Sequence, residues 1–100
     1  MLENENKYQK KLKEKIWRRF PGAMILKLDP GFIQGLPDLL ILYNDRWAAL
    51  EVKRSANASH RPNQDYYVNK FNNMSFSSFI YPENEEEVLN AMERSFKIER

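Results

Sequence analysis

GLPDLLILYNDRWAALEVKRS, residues 35–55, decides how the rest of the chain has to fold. LLILY at 39–43 and WAALEVK at 47–53 read as strands, and the polar Asn44-Asp45 pair between them reads as a tight hairpin turn. Side chains alternate across a strand, so Ala48, Leu50 and Val52 share an apolar face. Trp47, Ala49, Glu51 and Lys53 share the other, with Glu51 and Lys53 about 7 Å apart. A two-residue turn pairs Tyr43 with Arg46, and counting back pairs Leu42 with Trp47, Leu40 with Ala49 and Asp38 with Glu51. Opposed residues point the same way with Cβ atoms about 5 Å apart. Asp38, Glu51 and Lys53 therefore converge beside the small side chain of Ala49. A four-residue loop keeps this register; a three-residue loop breaks it.

Working outward, residues 3–20 read as a helix, because Tyr8, Leu12, Ile16 and Phe20 recur at every fourth position and Pro21-Gly22 ends the run. AMILKL at 23–28 is a short apolar strand, and DPGFIQGLP at 29–37 is too rich in Pro and Gly to be anything but a loop. After polar residues 54–61 a helix opens at Pro62 and is expected to bury Tyr67, Val68, Phe71 and Met74. SSFIY at 77–81 is a strand. The last helix starts after Pro82, with Asn84 and Glu87 at capping-box spacing, and buries Val88, Leu89, Met92 and Phe96. The expected order is α-β-β-β-α-β-α: one α/β domain over residues 1–100, a mixed sheet flanked by helices.

Composition narrows the function. Apolar residues make up 42% of the 100, enough for one core, and charged residues 30%, a polar surface. No apolar run reaches the roughly 20 residues a bilayer requires, and the start of the chain lacks a signal-peptide pattern, so a cytoplasmic protein without membrane attachment is expected. Without cysteine there is no disulfide framework or zinc–thiolate site, and the single histidine, His60, excludes a histidine-cluster site. The net charge is only +2, but Lys7, Lys10, Lys11, Lys13, Lys15, Arg18 and Arg19 crowd residues 7–19 against Glu14 alone, while residues 83–87 hold four glutamates. That asymmetry suits a basic face for a polyanion and an acidic one turned from it, although a solvated helix surface gives the same run.

Two carboxylates opposed in a sheet repel unless a cation sits between them. An oxygen-only set open to water suits Mg²⁺ better than zinc, and such an ion activates water and offsets charge growing on a phosphate. Lys53 can then orient that water or neutralise the phosphate. Each part has an ordinary reading too: Glu-x-Lys as a solvated strand face, and Asp after Gly-x-Pro as a turn residue. The join in register on adjacent strands favours a site. Glu5 lies on the apolar stripe of the first helix and either faces that site or complements the helix dipole at a frayed end. Gln64, in line with Tyr67, Val68 and Phe71, reaches water or phosphate there or serves as a satisfied core amide.

These residues resemble a known family. Asp38, Glu51-Val52-Lys53 and Gln64 are spaced as in the PD-(D/E)XK nuclease superfamily. Within it the chain looks most like the small stand-alone VRR-NUC-type nucleases and phage Holliday junction resolvases. The likeness runs through an early helical glutamate, Gly35-Leu36-Pro37-Asp38, Glu51-Val52-Lys53, and Arg61-Pro62-Asn63-Gln64 opening a helix. The resemblance implies an endonuclease using Mg²⁺, with Mn²⁺ as a substitute, on DNA of branched or junction form, and a homodimer, because two symmetric cuts need two sites. It implies Asp38 and Glu51 as metal ligands, Val52 lending its carbonyl, Lys53 as catalytic lysine, Glu5 (or Glu3 in its place) assisting the metal, and Gln64 facing the scissile phosphate. Lys10, Lys11, Lys13, Arg54 and Arg61 suit contacts to the DNA backbone. A nicking or DNA-processing nuclease of the same fold, a DNA-binding module that does not cleave, and an interaction protein with an incidental acid pair are the competing readings.

Overall fold

In a computed structural model residues 3–98 are described. Their order is α1 (Glu3–Arg19), β1 (Met24–Lys27), β2 (Leu39–Tyr43), β3 (Arg46–Val52), α2 (Pro62–Met74), β4 (Phe76–Ile80), one 3-10 turn (Pro82–Asn84) and α3 (Glu85–Phe96). The sheet runs β1-β2-β3-β4; the first two pairings are antiparallel and β3–β4 is parallel, so the sheet is mixed as the sequence implied. The hairpin has the expected register, Tyr43 opposite Arg46 through Leu40 opposite Ala49. Asn44 takes the left-handed conformation, φ 53°, that a two-residue turn needs and asparagine tolerates.

One face of the sheet is sealed. Leu12, Ile16 and Phe20 of α1, Leu39, Ile41, Ala48, Leu50, Val52 and Ile80 of the strands, and Val88, Leu89, Met92 and Phe96 of α3 form a single buried cluster. Phe20 packs edge-on against Phe96, and Tyr43 stacks on Phe96, both with ring centroids 5.5 Å apart. All four residues expected to be buried on α3 are buried.

The other face differs from expectation. None of Tyr67, Val68, Phe71 and Met74 on α2 is fully buried, and Met74 is 66% exposed. The helix lies on β4 and β3, where Phe71 meets Trp47 edge-on and the Ser75 hydroxyl at its C-terminal cap donates to the Trp47 carbonyl (2.6 Å). Tyr67, Val68 and Phe71 are left only half covered.

One further expectation is corrected. Asn84 does not cap α3 with its side chain; its Oδ1 accepts from the Tyr81 amide (2.9 Å) and its Nδ2 donates to the Phe79 carbonyl (3.1 Å), tying the end of β4 to the 3-10 turn. The acidic helix packs its carboxylates onto the basic one. Lys15 reaches Glu85 at 2.8 Å, and Arg19 reaches Glu86 at 3.1 Å and Glu93 at 3.2 Å as well as Asn90. Of the basic run of α1, Lys15 and Arg19 are thus paired with α3, and Arg18 lies 3.8 Å from Glu14 on α1 itself. No helix among the described residues is long and apolar enough to cross a membrane.

Candidate nuclease site

Beyond the last ladder pair, Leu39 opposite Leu50, the hairpin brings Asp38 against the end of β3. Asp38 Oδ2 accepts from the Val52 amide at 2.9 Å, while its own carbonyl accepts from the Leu28 amide at 2.9 Å, so the residue is anchored on both neighbours. Glu51 is 3% exposed and shares a side-chain hydrogen bond with Asp38. Burial first, then the Asp38 charge and that bond, push the Glu51 carboxyl up to about 9, against the opposing pull of Lys53. Those three causes each favour the protonated Glu51, the form that can donate to Asp38. Glu5, at the start of α1, adds repulsion of the same sign.

Lys53 is 7% exposed, and its ammonium donates to Gln64 Oε1 at 2.8 Å. The same oxygen accepts from the Arg61 amide at 3.0 Å, and Gln64 Nε2 donates to Glu51 Oε2 at 3.3 Å. Both readings of Gln64 thus meet in one place, for its amide is fully engaged and the groups it engages are those of the site. Asp38, Glu51, Lys53 and Gln64 form a connected set. No group of three or more acidic or histidine side chains gathers as a metal cage among the described residues, so Glu5 acts on Glu51 through its charge without joining a ligand cluster. The Glu3 alternative lies outside the residues whose side chains are described.

The cations fall into groups. Lys11 and Arg54 line an open hollow of about 430 Å³ with Lys7, Tyr8, Ser55 and Pro82, between α1 and the chain leaving β3. Lys10 lines a neighbouring groove with Lys7, Lys11 and Glu14. Arg61 is exposed at the start of α2, and Lys13 is half-buried on α1. Tyr8 at the hollow's edge donates to Glu85 at 2.9 Å, and burial together with that carboxylate raises its phenol above the usual range.

Sequence reasoning did not single out Ser55 of this hollow, and gave Asn63 no role of its own. A Cβ on Gly35 would lie 2.4 Å from the Asn63 Cβ, Gly35 takes φ +95°, and Asn63 Nδ2 donates to the Gln34 carbonyl at 3.3 Å. The loop before Asp38 is therefore clamped to the helix that carries Gln64. A glycine in a loop and an asparagine in the first turn of a helix, 28 positions apart, give no sequence signal of meeting.

A four-stranded mixed sheet flanked by helices, with Asp38, Glu51 and Lys53 joined at the hairpin's open end, has the architecture of the PD-(D/E)XK nuclease class. Within that class the chain is similar in structure to a solved VRR_NUC domain, with a TM-score of 0.67 and 25% sequence identity over 90% of this chain and 95% of that one. No protein-family model matches the chain, and no curated protein matches it.

Proposed function

We propose that this protein is a metal-dependent DNA endonuclease that hydrolyses phosphodiester bonds in branched DNA, in the manner of a Holliday junction resolvase, and works as a homodimer. The observation that carries the proposal is the Asp38–Glu51 pair: two opposed carboxylates, one of which must hold a proton, beside a nearly buried lysine. A structural acid pair would gain nothing from such a placement, whereas a divalent cation would take the place of the proton.

The donor set fits magnesium, or manganese in its stead: two carboxylates, with the Val52 carbonyl as a further oxygen, Glu5 assisting through its charge, and room left for water and phosphate. Bound there, the ion would supply the Lewis-acid charge that makes water nucleophilic and offsets charge on the phosphate. The chain's own residues do the rest. Lys53, held at 2.8 Å by Gln64, keeps an ammonium poised where negative charge grows. Gln64, fixed by the Arg61 amide and by Glu51, sets the direction of that ammonium and turns towards the phosphate. Lys11 and Arg54 in the hollow, with Lys10, Lys13 and Arg61 beyond it, grip flanking phosphates without reading bases.

The test is cleavage of a labelled four-way junction and a matched linear duplex by the wild type and Asp38→Ala, with and without Mg²⁺. Magnesium-dependent symmetric cutting of the junction is expected, lowered at least about 10²–10³-fold in the variant. Equal cutting of both substrates keeps the nuclease and removes the junction preference, leaving a nicking or processing enzyme with the same residues. No cutting of these or of nicked and single-stranded DNA, with Mg²⁺ or Mn²⁺, points instead to a DNA-binding protein.

A further inference from the structure

The loop that delivers Asp38 to the site also holds the most exposed large apolar side chain of the described residues. Phe32 is 78% exposed, and Ile33 beside it is partly so. Single exposed apolar residues are ordinary, but this one is mounted on an ordered support. Asp29 Oδ1 accepts from the Gly31 amide at 2.8 Å and the Asp29 carbonyl from that of Phe32 at 3.2 Å; the Ile33 carbonyl accepts from the Leu36 amide at 3.4 Å. The Gly35–Asn63 contact then pins the loop to α2, next to Gln64. A flexible tip would pay entropy to order its backbone on binding; this backbone is already hydrogen-bonded, with the ring turned out.

We propose that Phe32 is a wedge that stacks on a nucleobase exposed at a branch point, and that this contact sets the preference for branched over continuous DNA. It rests on the nuclease reading, and deepens it by naming what the enzyme recognises. Phe32 is six positions before Asp38, so their Cα atoms lie within roughly 20 Å of one another even were the chain fully extended. That reach corresponds to about six base-pair steps, the range in which a branch point and its cut would lie. The surroundings select the same ligand. Arg61, exposed two residues before Asn63 of the clamp, is a cation that favours a phosphate backbone over an apolar protein surface. Continuous duplex offers no free base face, whereas a branch does, and stacking an aromatic side chain on a base is worth about 1–3 kcal/mol.

The experiment uses the full chain with Phe32→Ala and Phe32→Trp, on a four-way junction carrying 2-aminopurine at the branch and on a matched continuous duplex. Binding is read by anisotropy in EDTA, and stacking by 2-aminopurine fluorescence. Phe32→Ala is expected to bind the junction about 5- to 100-fold more weakly, the duplex within about twofold, and to lose the fluorescence change. Phe32→Trp is expected to keep both. Equal effects on the two DNAs, or none, overturn the wedge. So does sedimentation showing that Phe32→Ala converts a dimer to monomer, which would make the loop a subunit contact. Because the readouts need no turnover, a wild type that stacks without cutting any DNA in Mg²⁺ would sink the nuclease reading and leave the wedge standing, while one that cuts without stacking would do the reverse.

Discussion

The two faces of β3 are buried alike and built to opposite purposes. Leu50 and Val52 point into the sealed cluster between the sheet and helices α1 and α3, where every neighbour is apolar. Glu51 and Lys53, one residue along, are withdrawn from water almost as completely, yet carry titratable groups tied to Asp38 and Gln64. The first face supports the fold by removing apolar surface from water. The second holds a carboxyl in a state its surroundings disfavour once it is charged, and the sealed face must make that tolerable. A strand of seven residues, Arg46–Val52, thus serves both roles through nothing more than its alternation.

The contrast breaks most visibly under paired substitutions. Leu50→Ala, on the sealed face, is expected to lower unfolding free energy by about 2–5 kcal/mol in urea titrations. Glu51→Gln, on the other face, should leave stability near pH 7 unchanged or higher. Its amide can still donate to Asp38 and accept from Gln64, and the group no longer ionises. Cleavage in Mg²⁺ should nevertheless vanish. If Glu51→Gln proved as destabilising as Leu50→Ala, the acid pair would be structural and the two faces would not differ in purpose.

What could be read from residues alone follows the same division. The hairpin register was legible because alternation along β2 and β3 and the Asn44-Asp45 turn are local and agree, and they placed Asp38, Glu51 and Lys53 together. The stripes Leu12, Ile16 and Phe20, and Val88, Leu89, Met92 and Phe96, were legible because both helices lie on the wide apolar face. The same periodicity misjudged α2, since a helical stripe says nothing about how far its partners cover it, and here Tyr67, Val68 and Phe71 stay half exposed and Met74 exposed. The charge asymmetry did not reveal that Lys15 and Arg19 pair with α3, because those ion pairs join residues as far apart as Lys15 and Glu85. The clamp of Gly35 on Asn63 was invisible for the same reason.

A second, smaller effect sharpens the comparison through pH. The Glu51 carboxyl moves from an ordinary 4.5 in the unfolded chain to about 9 in the folded one. Between those values the folded state holds the extra proton, so stability falls as pH rises, by at most about 1.4 kcal/mol per pH unit, and the contribution flattens below and above the window. Urea midpoints measured in EDTA should decline from pH 5 to pH 8 in the wild type, and this part of the decline should be absent in Glu51→Gln. Saturating Mg²⁺ should reduce the wild-type slope, since the ion takes the place of the proton. A slope identical in the two proteins would mean that Glu51 ionises normally and that the site face is no more demanding than the surface.

The smallest effect concerns the two ends of α1, where the division between fold and function is drawn again in cations. Lys11 lines the open hollow beside the site with Arg54 and Lys7, whereas Lys15 bonds Glu85 on α3. A lysine that meets a phosphate releases counterions from DNA, and one already paired with a carboxylate releases few. Removing Lys11 should therefore weaken duplex binding several-fold and lower the slope of log affinity against log salt by about 0.9. Lys15→Ala should leave that slope intact and change stability by no more than about 1 kcal/mol, as a largely exposed pair on a helix surface does. Anisotropy titrations at several salt concentrations separate the two, and equal slopes for Lys11→Ala and the wild type would move the DNA path away from the hollow. A reduced slope for Lys11→Ala and Arg54→Ala, with Lys15→Ala unchanged, would place the path between α1 and the end of β3. Those are the elements that carry Glu5, Glu51 and Lys53, so the backbone held in the hollow would be presented to the acid pair.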